Sequence, residues 1–228
     1  MKTFIAIPSM DTLPALFCQS LALLQRAGDT MVGFEVGSLV YNARNSLARQ
    51  AIKSEVDQVL WLDSDIVFGP DLLQRMTKVR QDNNIDMLTA ICFRRKPPYT
   101  PCLFDRLERL DNGKVSYTSI MSVPDGIFKV GGCGMAGVLM GLDVLISVAA
   151  KFDGKMFDPL PGMGEDVSFC WRARQCGYDI YCGTSIELGH VGQCVVTRGY
   201  FDAFNDIGGQ KDDAGRNKAE AEDPDAGI

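Results

Sequence analysis

The chain has 228 residues, of which 46% are hydrophobic and 23% charged, and its formal net charge is −6. A chain of this length buries roughly 70% of the surface it exposes when unfolded, enough for one well-cored domain. The acidic balance argues against broad, nonspecific attachment to a phosphate backbone, which draws on clustered basic charge.

In chain order, Thr3 to Ile7 reads as a buried first strand ended by Pro8-Ser9. Residues 11–27 place Leu13, Leu16, Phe17, Leu21 and Leu24 at helical spacing, closed by Gly28. Thr30 to Val36 is a second strand, and residues 42–54 suit a helix with Leu47, Ala48, Ala51 and Ile52 on one face. Val56 to Leu62 is a strand that runs out into Asp63-Ser64-Asp65. Gly69-Pro70-Asp71 opens a helix through about Val79, and Ile85 to Cys92 is another strand. This alternation predicts a mainly parallel α/β sheet over residues 1–95.

The second half has a different texture. Lys96-Pro97-Pro98-Tyr99 is a breaker, and residues 101–130 read as short strands with turns at Asp111-Asn112-Gly113 and Pro124-Asp125-Gly126. Val138 to Leu142 is a strand, followed by a helix to about Ala150; residues 166–176 form another helix and Tyr178 to Cys182 a strand. Residues 1–207 are taken as one domain, with halves 1–95 and 96–207; residues 208–228 turn polar and acidic, a solvated tail that is disordered or ordered only by a partner. Eight cysteines lie mostly inside apolar runs with no CxxC pair, which argues against a zinc ribbon or a thioredoxin-type motif. No signal peptide and no stretch approaching the ~18 apolar residues of a membrane span is visible, so the expectation is a cytoplasmic protein with reduced thiols.

Chemistry concentrates in three places. Asp63 and Asp65 follow the apolar run Val59-Leu60-Trp61-Leu62. Residues two apart in an extended chain point the same way, so both carboxylates are expected to aim at one spot beyond the strand end, where a cation or proton must neutralise them. The bland alternative is an ordinary Asp-Ser turn. Gly162-Met163-Gly164-Glu165-Asp166 precedes a helix; acids in a first turn gain ~0.3–1 kcal/mol from the helix dipole and need no other purpose. His190 is the sole histidine, and a lone histidine is more often structural than a ligand.

Taken in order with their flanks, these segments resemble GT-A-type glycosyltransferases, especially family-2-like ones. Val59 to Phe68 looks like their DxD segment. The resemblance implies a GT-A-like fold with a nucleotide-binding first half and a smaller acceptor-facing second half. It implies Asp65 as the main metal ligand, His190 completing the metal site, and Asp63 reaching the metal through water or touching the donor ribose beside Ser64. The ion would be Mn²⁺, or Mg²⁺, which suits carboxylate, imidazole and phosphate oxygens. Glu165-Asp166 matches the family's ED segment, with Asp166 as general base and Glu165 as support or acceptor contact.

Ala43-Arg44-Asn45 recurs near the donor nucleotide in such enzymes; an arginine fork suits phosphate, and the alternative is an arginine on a solvated helix face. Pro8, Ser9 and Asp11 sit where this fold meets the nucleobase. Gly132-Cys133-Gly134-Met135-Ala136-Gly137 spells G-x-G-x-x-G, yet lacks the supporting strand–turn–helix unit of a dinucleotide fold; Gly132 and Gly134 instead match a small-residue segment that admits the donor sugar. Arg94, Arg95 and Tyr99 are candidates for phosphate or acceptor contact, against the commoner reading of a solvated basic loop.

The expected activity is transfer of a sugar from a nucleoside-diphosphate sugar, a UDP-sugar by resemblance, to an acceptor that is a glycan, a protein, a small molecule or a modified base, with inversion. Size and architecture resemble small stand-alone transferases of bacteria and their viruses. Two alternatives stand beside it: a nucleotidyltransferase, for which the Gly-rich basic loop after the first strand is missing at Pro8-Ser9-Met10-Asp11, and a non-catalytic nucleotide-sugar-binding protein.

Overall fold

In the computed structural model the described residues are 1–26, 28–37, 39–110, 115–192 and 195–209. The elements in chain order are β1 (Thr3–Ser9), α1 (Ala15–Leu23), β2 (Thr30–Val36), α2 (Val40–Lys53), β3 (Gln58–Leu62), β4 (Ile66–Val67), α3 (Leu72–Asp82), β5 (Met87–Ile91), β6 (Leu103–Arg109), β7 (Val115–Ser119), β8 (Ile127–Val130), β9 (Gly132–Cys133), β10 (Gly137–Gly141), α4 (Leu142–Lys151), α5 (Glu165–Gln175), β11 (Ile180–Glu187), β12 (Gly189–Val191), β13 (Val195–Val196) and α6 (Arg198–Gly209).

Seven strands form the central sheet in the order β2-β1-β3-β10-β5-β11-β8. β1 pairs in parallel with β2 and β3, and β5 with β11; β10 and β8 run against their neighbours. The sheet's inner strands β1, β3, β10 and β5 are buried along their whole length, which is why they are nearly continuous apolar runs. The period of two divides each strand between two cores. Val59 and Trp61 of β3 face α2, α4 and α5, together with Phe4, Ala6, Leu47, Val144 and Phe169. Leu60 and Leu62 face α1 and α3, together with Ile5, Ile7, Phe17, Leu72 and Met76. Fully burying one such side chain contributes roughly 1.5–3 kcal/mol.

The halves 1–95 and 96–207 share the central sheet: β10 inserts between β3 and β5 in register Leu139↔Leu60 and Leu139↔Leu88. A helix, α6, follows β13 where none was expected; its Phe201 stacks on Phe93, with ring centroids 5.0 Å apart. The anticipated turn at 111–113 and tail residues 210–228 lie outside the described residues. The breaker at Pro8 falls inside β1, tolerated because the pairing of β1 with β3 ends at Ala6 while only β2 continues alongside. Among the described residues no helix is long and apolar enough to cross a membrane, and the seven described cysteines are free.

Candidate active site

β3 delivers the first acid. Asp63 leaves the strand with its N–H still donating to the Ala136 carbonyl of the segment before β10 (3.2 Å). Ser64 and Asp65 then form a turn into β4. That turn breaks the extended period, and the two carboxylates take different partners. Asp63 is drawn to Arg44, whose Nη2 donates to Asp63 Oδ1 (2.9 Å). Asp65 is drawn the other way by the small sheet β13-β12-β4, whose register sets His190 opposite Ile66, and whose Val191 N–H donates to the Asp65 carbonyl (2.7 Å).

Arg44 is the centre of the first corner. It is neither a solvated helix residue nor an open phosphate fork: it is 2% exposed on the inner face of α2, with its guanidinium 6.0 Å from the ring centres of both Trp61 and Phe157. Besides Asp63 it faces Asp166 Oδ1 (Nη2, 3.1 Å) and Glu165 Oε1 (Nε, 3.7 Å). Its Nε and Nη1 are buried without a hydrogen-bond partner. Burial alone would lower its proton affinity, but the charges of Asp166, Asp63 and Glu165 outweigh that and raise it, so it is a permanent cation.

Glu165 and Asp166 open α5 after Gly164, with Gly162 in the left-handed region (φ +78°) turning the chain toward the site. Asp166 Oδ2 accepts the Met135 N–H (3.2 Å). Burial pushes its carboxyl well above the usual range, Arg44 opposes this, and the Glu165 and Asp63 charges add to the rise. A carboxylate in that setting holds a proton more tightly than an exposed one, a property suited to a general base. Gly134 borders it: a Cβ there would sit 3.7 Å from Asp166 Oδ2 and 3.4 Å from Cys102 Cβ.

The second corner is Asp65, His190 and Arg95. His190 Nδ1–H donates to the Phe93 carbonyl (2.8 Å), which turns Nε2 toward Asp65 Oδ2 (3.3 Å). Arg95 Nη1 reaches the same oxygen at 2.8 Å. Burial raises the proton affinity of Asp65, but the hydrogen bond and charge of His190, with Arg95, outweigh it and hold the carboxyl below its usual value. Burial lowers that of His190, and Asp65 with the Phe93 carbonyl more than reverses it.

This corner fits half of a metal site. Two ligands at right angles, each about 2.1 Å from one ion, lie about 3.0 Å apart, close to the 3.3 Å between Asp65 Oδ2 and His190 Nε2. A second partner fixing the distal ring nitrogen is the usual support for a ligating histidine. Among the described residues no three His, Cys, Asp or Glu side chains gather closely enough to hold an ion by themselves. Asp63, committed to Arg44, does not complete the set. Such a site suits an ion that arrives with oxygens of its substrate.

The remaining candidates scatter. Asn45 is buried and spans a gap instead of facing an opening: its Nδ2 donates to Asp158 Oδ2 (2.7 Å) and its Oδ1 accepts the Phe157 N–H (2.9 Å). Pro8 is buried at the end of β1, and Ser9 Oγ is buried without a partner. Asp11 is exposed beside Gly37, which is left-handed (φ +76°), where α2 begins its approach. Gly132 packs inward on Leu107 and Cys170. The G-x-G-x-x-G run passes through β9 into β10 with no helix between. Tyr99 turns from the site to lie edge-on against Tyr200 and Phe204 of α6 (4.9 and 5.0 Å). Arg94 fastens its loop through its N–H to the Thr100 carbonyl (2.9 Å).

No family model and no curated protein matches the chain. Among solved structures it is similar to the crystal structure of A197 from STIV, with a TM-score of 0.59 and 15% identity over 97% of this chain and 100% of that one. That likeness is one of overall α/β fold.

Proposed function

We propose that this chain is a metal-dependent glycosyltransferase of GT-A-like fold that moves a sugar from a nucleoside-diphosphate donor, most simply a UDP-sugar, to an acceptor hydroxyl. The observation that carries the reading is that Asp63, at the end of β3, and Glu165-Asp166, at the start of α5, meet on one buried guanidinium while Asp65 stands next to His190. Acidic groups from distant parts of the chain are thus assembled beyond sheet-strand ends, where open α/β sheets bind ligands.

Asp65 and His190 would hold Mn²⁺ or Mg²⁺ together with diphosphate oxygens of the donor. The bound ion supplies Lewis-acid stabilisation of the charge that develops on the departing diphosphate. Asp63 and Ser64 flank the ribose side. Asp166 takes the proton of the acceptor hydroxyl as that oxygen attacks the anomeric carbon; the bond to the diphosphate oxygen breaks, and its electron pair leaves with UDP. A single displacement of this kind inverts the anomeric centre. Glu165 stands beside Asp166 as acceptor contact, and Gly134 borders Asp166 without a side chain of its own.

Calorimetry with UDP and UDP-glucose, with Mn²⁺ and then with chelator, tests the reading. Binding to the wild type that is lost with chelator, in Asp65→Ala and in His190→Ala supports it. Metal-independent binding removes Asp65 and His190 from the mechanism, and release of pyrophosphate from a nucleoside triphosphate would replace it with nucleotidyl transfer.

A further inference from the structure

The two arginines of the site differ in one respect that bears on how the metal enters. Arg44 is 2% exposed and enclosed by Trp61, Phe157 and three acids, whereas the Arg95 side chain is 42% exposed. The backbone that carries Arg95 is held: Phe93 is fully buried and stacked on Phe201, Arg94 N–H donates to Thr100, Tyr99 N–H donates to Lys96 (2.9 Å), and the Tyr99 ring is packed on α6. A side chain anchored at its root and open at its tip changes place by rotamer alone.

Its tip sits on the oxygen the metal needs. Arg95 Nη1 is 2.8 Å from Asp65 Oδ2, the atom that also faces His190 Nε2. An ion about 2.1 Å from that oxygen would find the guanidinium nitrogen within about 5 Å, a like-charge contact only partly screened by water. We infer that Arg95 is a built-in cation that occupies Asp65 until the divalent ion arrives, and that it then turns onto the donor diphosphate brought with that ion. The inference rests on the glycosyltransferase reading above and adds to it the order of events. Metal alone is opposed by Arg95; metal with diphosphate is not, because the phosphate oxygens offer the guanidinium a bidentate partner in exchange for the carboxylate it gives up. Donor and metal binding are therefore coupled, each strengthening the other by the same factor.

The test is Mn²⁺ binding followed by the electron paramagnetic resonance signal of the free ion, with and without UDP, in wild type, Arg95→Gln and Arg95→Lys. The expected result is that Arg95→Gln binds Mn²⁺ alone roughly fivefold more tightly than wild type, the upper range for releasing a half-exposed ion pair. UDP should then enhance Mn²⁺ binding less in Arg95→Gln than in wild type. Arg95→Lys, which keeps the charge without the fork, should resist Mn²⁺ as wild type does and lose part of the enhancement by UDP. Wild type that binds Mn²⁺ with UDP while Arg95→Gln leaves Mn²⁺ affinity unchanged or lower overturns the inference and leaves the glycosyltransferase reading standing. Failure of every form to bind Mn²⁺ with or without UDP overturns both.

Discussion

The two corners of the site handle charge in opposite ways. Around Arg44, three carboxylates share one guanidinium that is out of water and flanked by aromatic rings. Around Asp65, one carboxylate has two nitrogen partners, a histidine on a strand and an arginine on a solvent-facing arm. In the first arrangement the shared guanidinium is buried on α2, and so serves as a frame that fixes Asp63 and Asp166 relative to each other. The second has a partner to spare, and so serves as the place where charge is exchanged. A catalytic centre that binds a charged substrate needs both a frame that stays and a position that yields.

The largest effect expected from breaking this division is Arg44→Met. It strips Asp63, Glu165 and Asp166 of the guanidinium they share, and removing one partner of a buried pair costs about 3–5 kcal/mol. Urea unfolding at neutral pH should show that loss. Arg44→Lys should recover part of it, because a point charge survives without the fork. A loss below about 1 kcal/mol for Arg44→Met would mean that the acids are solvated or protonated in place and that Arg44 is no frame.

Asp166→Asn comes next and separates chemistry from framework. The amide keeps an oxygen for the Met135 N–H, so the fold and Mn²⁺-dependent UDP binding should persist. Turnover, followed as UDP release, should fall by roughly 10²–10⁴, the share of a positioned general base. Glu165→Gln should fall less. A variant at Asp166 with unaltered turnover would move the base elsewhere.

How much of this the sequence discloses follows from the range over which each feature is determined. The strand Val56 to Leu62 and the helices α3 and α5 are local patterns, and they are legible. So is the presence of acids beyond β3 and at the start of α5. The partner of Asp63 is not legible, because the period of two that would align it with Asp65 ends where the turn at Ser64 begins, and nothing local says so. Arg44 reads as a phosphate contact or as an arginine on a solvated helix face; only the meeting of α2, β3 and α5 makes its burial affordable. β10 carries no mark of its neighbours, so its insertion into the first-half sheet is invisible until the register is seen. The role of Phe93 is carried by a carbonyl, which every residue has. α6 escaped because its aromatic residues, Tyr200, Phe201 and Phe204, follow Gly199 in a short segment just before a polar tail.

A smaller effect distinguishes the corners by pH. Asp166 has a folded pKa raised above its ordinary 3.8, so the folded state binds that proton more tightly than the unfolded chain; stability rises as pH falls through the folded value and the gain is complete below 3.8. His190 is also raised, above 6.5; its contribution is full below 6.5 and is lost as pH rises through the folded value. Asp65 is lowered below 3.8; its contribution is present above 3.8 and is lost only as pH falls through the depressed value. Urea midpoints measured without metal between about pH 5 and about pH 8 should therefore decline toward the alkaline side. Asp166→Asn and His190→Gln should each flatten that slope, and a wild-type midpoint that climbs with pH would contradict both assignments.

The smallest effect is the one that most sharpens the contrast. If the Asp65 corner is built for exchange, its arm must hold loosely when the site is empty of substrate. An ion pair between a 42% exposed arginine and a 25% exposed carboxylate is worth about 0.2–1 kcal/mol and is screened as salt rises. Arg95→Gln should therefore shift the unfolding midpoint by less than about 1 kcal/mol in dilute buffer, and the shift should shrink toward zero near 1 M salt, where the Debye length is about 3 Å. The loss in Arg44→Met, set by burial, should persist in the same salt. Equal and salt-independent losses in the two variants would mean that both arginines are frame, and that the exchange of charge assigned to Arg95 has nowhere to occur.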